Sequence, residues 1–109
     1  MAIFLGDKIR LLRKEKKLTL EALAQSAGLS KSYLWELENR ESQKPSAEKL
    51  SALAKVLGVD VDFFLEANTL TPDEKHIDNA FFREYKNLSS QEKEQIRNIM
   101  AVIQTTGNK

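Results

Sequence analysis

An all-α fold is predicted for this 109-residue chain by three observations. Apolar residues recur at intervals of three and four, Ser, Thr and Asp stand where helices need caps, and glycines fall where left-handed residues end them. No stretch carries the two-residue alternation of a half-buried strand.

Leu5, Ile9, Leu12 and Lys16 fall on one stripe of a first amphipathic helix, with Lys8, Arg10, Lys14 and Lys17 pointing elsewhere. Thr19 caps a second helix of about two turns, in which Leu23, Ala24 and Ala27 repeat helically and Gly28 closes the end. Ser30 caps a third, carrying Leu34 and Leu37, which lasts until the polar run Asn39 to Lys44 and Pro45 break it. Ser46, with Lys49 where a capping-box glutamate would sit, opens a fourth whose Leu50, Leu53, Ala54 and Leu57 form a stripe ended by Gly58. Asp60 caps a brief fifth helix through Phe64 and Leu65. Residues 68–71 read as a linker between a unit at 1–67 and a helical hairpin at 72–109. Thr71 is read as the cap of the hairpin's first helix, with Pro72 at its first helical position and Ile77, Phe81, Tyr85 and Leu88 along it. Ser89 to Glu92 form a capping box for its second helix, which bears Ile96, Ile99, Met100 and Ile103, and Thr105 to Lys109 read as a frayed tail.

Composition excludes several chemistries. There is no cysteine, hence no disulfide, thiolate metal site or thiol nucleophile, and a histidine-built metal site would need other chains because His76 is the single histidine. His76 itself is expected to be a solvated helix residue. Gly6, Gly28, Gly58 and Gly107 are scattered rather than gathered into a phosphate loop, and no Ser-His-Asp set can be assembled. No enzymatic activity, cofactor or metal is expected. With 41% apolar and 30% charged residues the chain is expected to fold, and its apolar runs are too short to span a membrane. The opening residues lack the order of a secretory signal, so a cytoplasmic location is expected.

The informative stretch is Leu20 to Asn39, L-E-A-L-A-Q-S-A-G-L-S-K-S-Y-L-W-E-L-E-N. Ala24 is small where two helices would cross, Gly28 permits positive φ at the turn, and Leu23, Leu29, Leu34 and Leu37 fill the wedge between them. This is a helix-turn-helix pattern. Together with I-R-L-L-R-K-E-K-K-L-T before it and K-P-S-A-E-K-L-S-A-L-A-K-V-L-G-V-D-V-D-F-F-L after it, the chain resembles the Cro/C1-type (XRE, phage-repressor-like) family of helix-turn-helix regulators. The resemblance implies a five-helix lambda-repressor-like DNA-binding domain. The additional two-helix segment is similar in arrangement to that of the small biofilm and prophage repressors.

On that resemblance the helix at 31–39 enters the DNA major groove, and Lys31, Ser32, Tyr33 and Glu36 fall on base-reading positions. The chemistry is compatible: Lys donates to guanine, Ser serves as donor or acceptor, and Glu accepts from cytosine N4. Glu36 is otherwise a solvated charge, and Tyr33 either touches a thymine methyl or a phosphate or packs on the next helix. Phosphate contacts map to Thr19, Ser30, Asn39, Arg40, Gln43 and Lys44. Leu20 replaces a phosphate-binding glutamine, and Arg40 a turn glycine, so that it either strains the turn or adds a cationic contact. Trp35 is expected beside the reading surface, packed on a neighbouring loop or with its indole N–H on a phosphate. Arg13 and Glu38 are implied to form a partly buried ion pair between the first helix and the recognition helix, and loss of either partner is expected to cost several kcal/mol.

Phe81, Phe82, Tyr85, Ile96, Ile99, Met100 and Ile103 offer more apolar surface than a hairpin can bury within itself, so it either folds back on the first five helices or pairs with a second copy. Pairing is the favoured reading, and the function expected is a dimeric repressor that occupies a palindromic operator in double-stranded DNA. The alternative is a protein whose C-terminal helices bind a toxin, antirepressor or protease, with autoregulatory DNA binding. Net charge is only +1, but six cations face only Glu15 between residues 8 and 17, so the basic character is read as local.

Overall fold

A computed structural model describes residues 4–41 and 44–107, which form seven helices and no strand. They are α1 (Leu5–Glu15), α2 (Leu20–Ala27), α3 (Lys31–Asn39), α4 (Ala47–Leu57), α5 (Val61–Leu65), α6 (Glu74–Lys86) and α7 (Ser90–Gly107). Local chemistry sets most of the boundaries. Thr19 Oγ1, Ser30 Oγ, Ser46 Oγ and Asp60 Oδ1 each accept the backbone N–H three residues on, at 3.0 to 3.2 Å. Each such cap is worth about 1 kcal/mol. Gly28 ends α2 at φ +72°, and the Leu29 N–H reaches back to the Ala24 carbonyl at 2.8 Å. Helix α1 ends with the same pattern on a residue that carries a Cβ: Lys17 has φ +58°, and the Leu18 N–H bonds the Arg13 carbonyl at 3.0 Å. Leu18 then tucks against the core, which offsets the left-handed lysine. Arg40, by contrast, is extended at φ −125° and strains nothing.

The core joins Ile9 and Leu12 of α1, Leu23 and Ala24 of α2, Leu34 and Leu37 of α3, four residues of α4, and Val59, Phe63 and Phe64 around α5. Two basic residues expected to face outward or to stand apart from it turn inward instead. Lys8 is fully buried; its ammonium donates to the backbone carbonyls of Phe63 and Glu66 and lies 4.7 Å from the centre of the Phe63 ring. The last carbonyls of α5 have no helical partner, and a cation satisfies them. Burial holds the ammonium below its ordinary pKa, against the pull of the Glu66 charge.

His76 is likewise fully buried rather than solvated. Its Nδ1 lies 2.7 Å from Asp60 Oδ1 and its Nε2 3.2 Å from Glu66 Oε1, and its ring tilts against Phe63 with centroids 5.5 Å apart. Only an imidazolium can donate to both carboxylates; a neutral ring serves one. Asp73 also approaches the ring and Glu66, one oxygen or nitrogen of each lying within 4.8 Å of the others, but both ring nitrogens are already spent on carboxylates. The cluster ties α6 to the residues on either side of α5.

This junction explains a shift in α6. The helix begins at Glu74 behind Asp73, not at Pro72 behind Thr71, and the buried face is His76 and Ala80, four apart. Arg83 adds a bond to the Val59 carbonyl at 3.2 Å. The predicted stripe of Ile77 and Phe81 therefore faces outward, about half exposed. The Ser89 capping box forms in both directions, at 2.9 and 3.1 Å. Helix α7 has no buried residue, and it runs through Gly107 rather than fraying at Thr105. Thr105 and Thr106 prolong it by bonding their hydroxyls to carbonyls one turn back. No described helix is long and apolar enough to cross a membrane.

The α1–α3 seam is the tightest contact. Arg13 grips both oxygens of buried Glu38, at 2.7 and 2.9 Å, and donates to the Leu18 carbonyl at 3.1 Å. Hydrogen bonding to Glu38 raises the Arg13 pKa further, outweighing partial burial. Arg10 donates to the Glu38 carbonyl at 2.7 Å and to Asn39 Oδ1 at 2.8 Å. Gly6 makes this approach feasible, since a Cβ there would sit 2.5 Å from the carbonyl oxygens of both Leu37 and Glu38.

Gly6→Ala is expected to destabilise the protein by about 2 kcal/mol, read as a lower urea midpoint at unchanged slope. Acid should also destabilise it. Desolvation raises the Asp60 pKa, but bonds from Asn79, His76 and the Phe63 amide outweigh it and hold the folded value low; Glu66 is held low, against desolvation, by His76, Thr69 and Lys75. The stability these carboxylates contribute is complete above their ordinary values and is lost as pH falls through the lowered ones. The melting temperature should drop in that window, and Asp60→Asn should flatten the drop.

Candidate nucleic-acid interface

The site is built on the turn from α2 to α3. Gly28, Leu29 and Ser30 reverse the chain, Leu29 anchors the turn against the core, and the Ser30 cap fixes where α3 starts. Leu34, Leu37 and Glu38 bury one side of α3, which leaves Lys31, Ser32 and Trp35 exposed and Glu36 half-exposed on the other. A rigid helix thus presents its first turn to solvent, N–H groups and positive dipole end leading.

The predicted contact residues separate into three groups. Lys31 and Ser32 are exposed at the leading end of α3, with Glu36 one turn behind Ser32. Thr19 and Ser30 spend their oxygens as helix caps, yet each hydroxyl hydrogen stays available as a donor. Arg40 and Lys44 are exposed beyond the helix end, and the Arg40 guanidinium lies 5.9 Å from the Trp35 ring centre. Gln43 lies outside the described residues.

Two residues have other commitments. Tyr33 packs against the core, and the Lys49 ammonium from α4 sits 4.3 Å above its ring. Tyr33 thus makes a packing contact and keeps part of its surface open. Asn39 accepts from Arg10 through Oδ1 and donates to the Trp35 carbonyl at 2.8 Å, which leaves one amide hydrogen outward. Lys49 was missed in the sequence, because nothing local marks it as the cation over Tyr33.

The basic cluster of α1 also needs correction. Lys8 is buried, and Arg10 and Arg13 are engaged at Glu38, so only Lys14, Lys16 and Lys17 of the six cations are exposed. A buried lysine and a paired arginine contribute structure rather than surface potential. On and beyond α3 the exposed cations are Lys31, Arg40 and Lys44, near Ser, Thr and Asn hydroxyls and amides, with Lys49 over Tyr33. Side chains of these types are able to donate to phosphates and guanine edges, and a carboxylate such as that of Glu36 is able to accept from cytosine N4.

Residues 9–64 match the helix-turn-helix family model. The immunity repressor of Bacillus phage phi105 is 41% identical over 70 residues, which are 64% of this chain and 48% of that repressor, so the chain spans about half the length of this relative. The transcriptional regulator SinR of Bacillus licheniformis is 36% identical over 84 residues, 77% of this chain and 72% of that protein. Among solved structures, SinR, the master regulator for biofilm formation, in complex with DNA is 38% identical; the alignment covers 58% of this chain and 100% of that one, with a TM-score of 0.55. The pattern, the fold and these relatives agree: the chain belongs to the helix-turn-helix family of Cro/C1-type DNA-binding transcriptional regulators.

Proposed function

We propose that the protein is a sequence-specific repressor that binds an operator as a dimer, each subunit placing the first turn of α3 in the major groove. The observation that carries this reading is the contrast between the two ends of α3. Its C-terminal end is locked to α1 by Glu38, while Lys31 and Ser32 at its start are exposed and committed to nothing within the core. A positioned helix with a free, donor-bearing start is what base reading requires. The DNA complex of SinR supports the assignment of the groove partner.

Pairing is supported by the apolar side chains that α6 and α7 leave open. Phe81, Phe82, Ile99, Met100 and Ile103 are each about half exposed or more, and Tyr85 and Ile96 are partly covered. Ile96, Ile99, Met100 and Ile103 lie at intervals of three, one and three on α7, a single apolar seam. A two-fold pair along this seam buries it without a second kind of protein. Two linked reading heads also multiply affinity, by about 10² to 10⁴ over one.

Lys31→Ala should lose about 1 to 3 kcal/mol of discrimination at one base position, while Lys44→Ala weakens all duplexes alike; competition binding against single-base operator variants separates the two. Ile99→Asp with Ile103→Asp should give a folded monomer by sedimentation, with operator affinity lowered about 100-fold or more. A protein that binds its own promoter no better than random duplex overturns the repressor reading.

A further inference from the structure

Beside the polar reading residues, the same face carries two apolar side chains that the assigned base and phosphate contacts leave unused. Leu20, the first residue of α2, and Trp35, one turn beyond Lys31 on α3, line a shallow hollow with Lys31, Ser32 and Glu36. Trp35 is 47% exposed although its backbone is held by the Asn39 amide and its ring has a guanidinium beside it. A large ring left half bare next to donors is poorly suited to a phosphate, whose desolvation against apolar surface is costly. On the base edges of the major groove the one apolar group is the C5-methyl of thymine.

We infer that Leu20 and Trp35 form an apolar subsite that selects a thymine, through its C5-methyl, next to the bases read by Lys31 and Glu36. This rests on the operator-binding reading above. Specificity at that position comes from burial of one methyl rather than from a hydrogen bond. Such burial corresponds to a preference of about fourfold per half-site. The subsite is assembled from both helices of the motif, so it exists only while the α2–α3 turn holds them in register.

The test uses the full-length protein and its operator, obtained by selection from random duplexes. Each thymine is replaced in turn by deoxyuridine, which removes the methyl and keeps every hydrogen-bonding group. One position in each half-site should lose about fourfold in affinity. Trp35→Ala and Leu20→Gln, both checked for an unchanged melting temperature, should abolish that difference while the base preference that depends on Lys31 persists. Placing 5-methylcytosine at that position should recover more affinity than cytosine, since the methyl is shared. Equal binding of thymine and deoxyuridine at every position, as a contact with deoxyribose would give, overturns the inference but leaves the repressor reading standing. So does a difference that survives in both variants. Failure to select any operator overturns both.

Discussion

The carboxylate of Glu38 decides how the reading helix is aimed. A buried carboxylate is tolerated only when paired and hydrogen-bonded, and here one arginine takes both of its oxygens while a second approaches its side chain and binds its carbonyl. Both arginines come from α1, one turn apart. The arrangement is a poor source of net stability, because desolvating the charges cancels much of the attraction. Its value is geometric. A planar guanidinium clamped on a carboxylate permits one orientation, and Gly6 lets the α1 backbone approach the end of α3 closely enough for the clamp to close.

Several charged groups in this protein serve internally. Lys8 neutralises the open end of α5, Arg10 and Arg13 hold Glu38, and His76 holds two carboxylates at once. The near balance of the sequence, +1 overall, accordingly overstates neither surface field nor DNA attraction. Few cations are left for the proposed reading face, and a small number of phosphate contacts would mean a shallow salt dependence and modest affinity for arbitrary duplex. On the proposed reading, discrimination would fall to base edges and to the joining of two subunits.

What could be read from the sequence was local. Thr19, Ser30, Ser46 and Asp60 cap within three residues, Gly28 signals its own backbone, and Leu23, Ala24, Leu34 and Leu37 repeat at helical spacing, so the five-helix frame and the place of α3 were legible. The Arg13 to Glu38 pair came from resemblance to a family rather than from spacing. The misread residues have partners remote in the chain. Lys8 meets carbonyls 55 and 58 residues away, His76 meets Asp60 and Glu66, and the crowding at Gly6 comes from residues 37 and 38. Apolar periodicity pointed to the wrong face of α6 because a histidine with specific partners, not an isoleucine, is the residue that turns inward. Beside α3, the Lys49 ammonium over Tyr33 comes from α4 and was beyond any local pattern.

The His76 junction bears on how two subunits would measure DNA. A hairpin tethered by a loose segment lets each reading head search a range of separations, and half-sites of several spacings are then accepted. Here α6 is pinned at its first turn by two carboxylates and lower down by Arg83 on Val59, a few residues from the core strip that supports α3. These bonds hold the start of α6 to the α5 region as an arm of a caliper is held, not as a leash. If two copies pair along α7 as proposed, this anchoring narrows the range of separations open to the reading heads, and an operator with one base pair inserted at its centre would move each half-site both outward and around the helix axis.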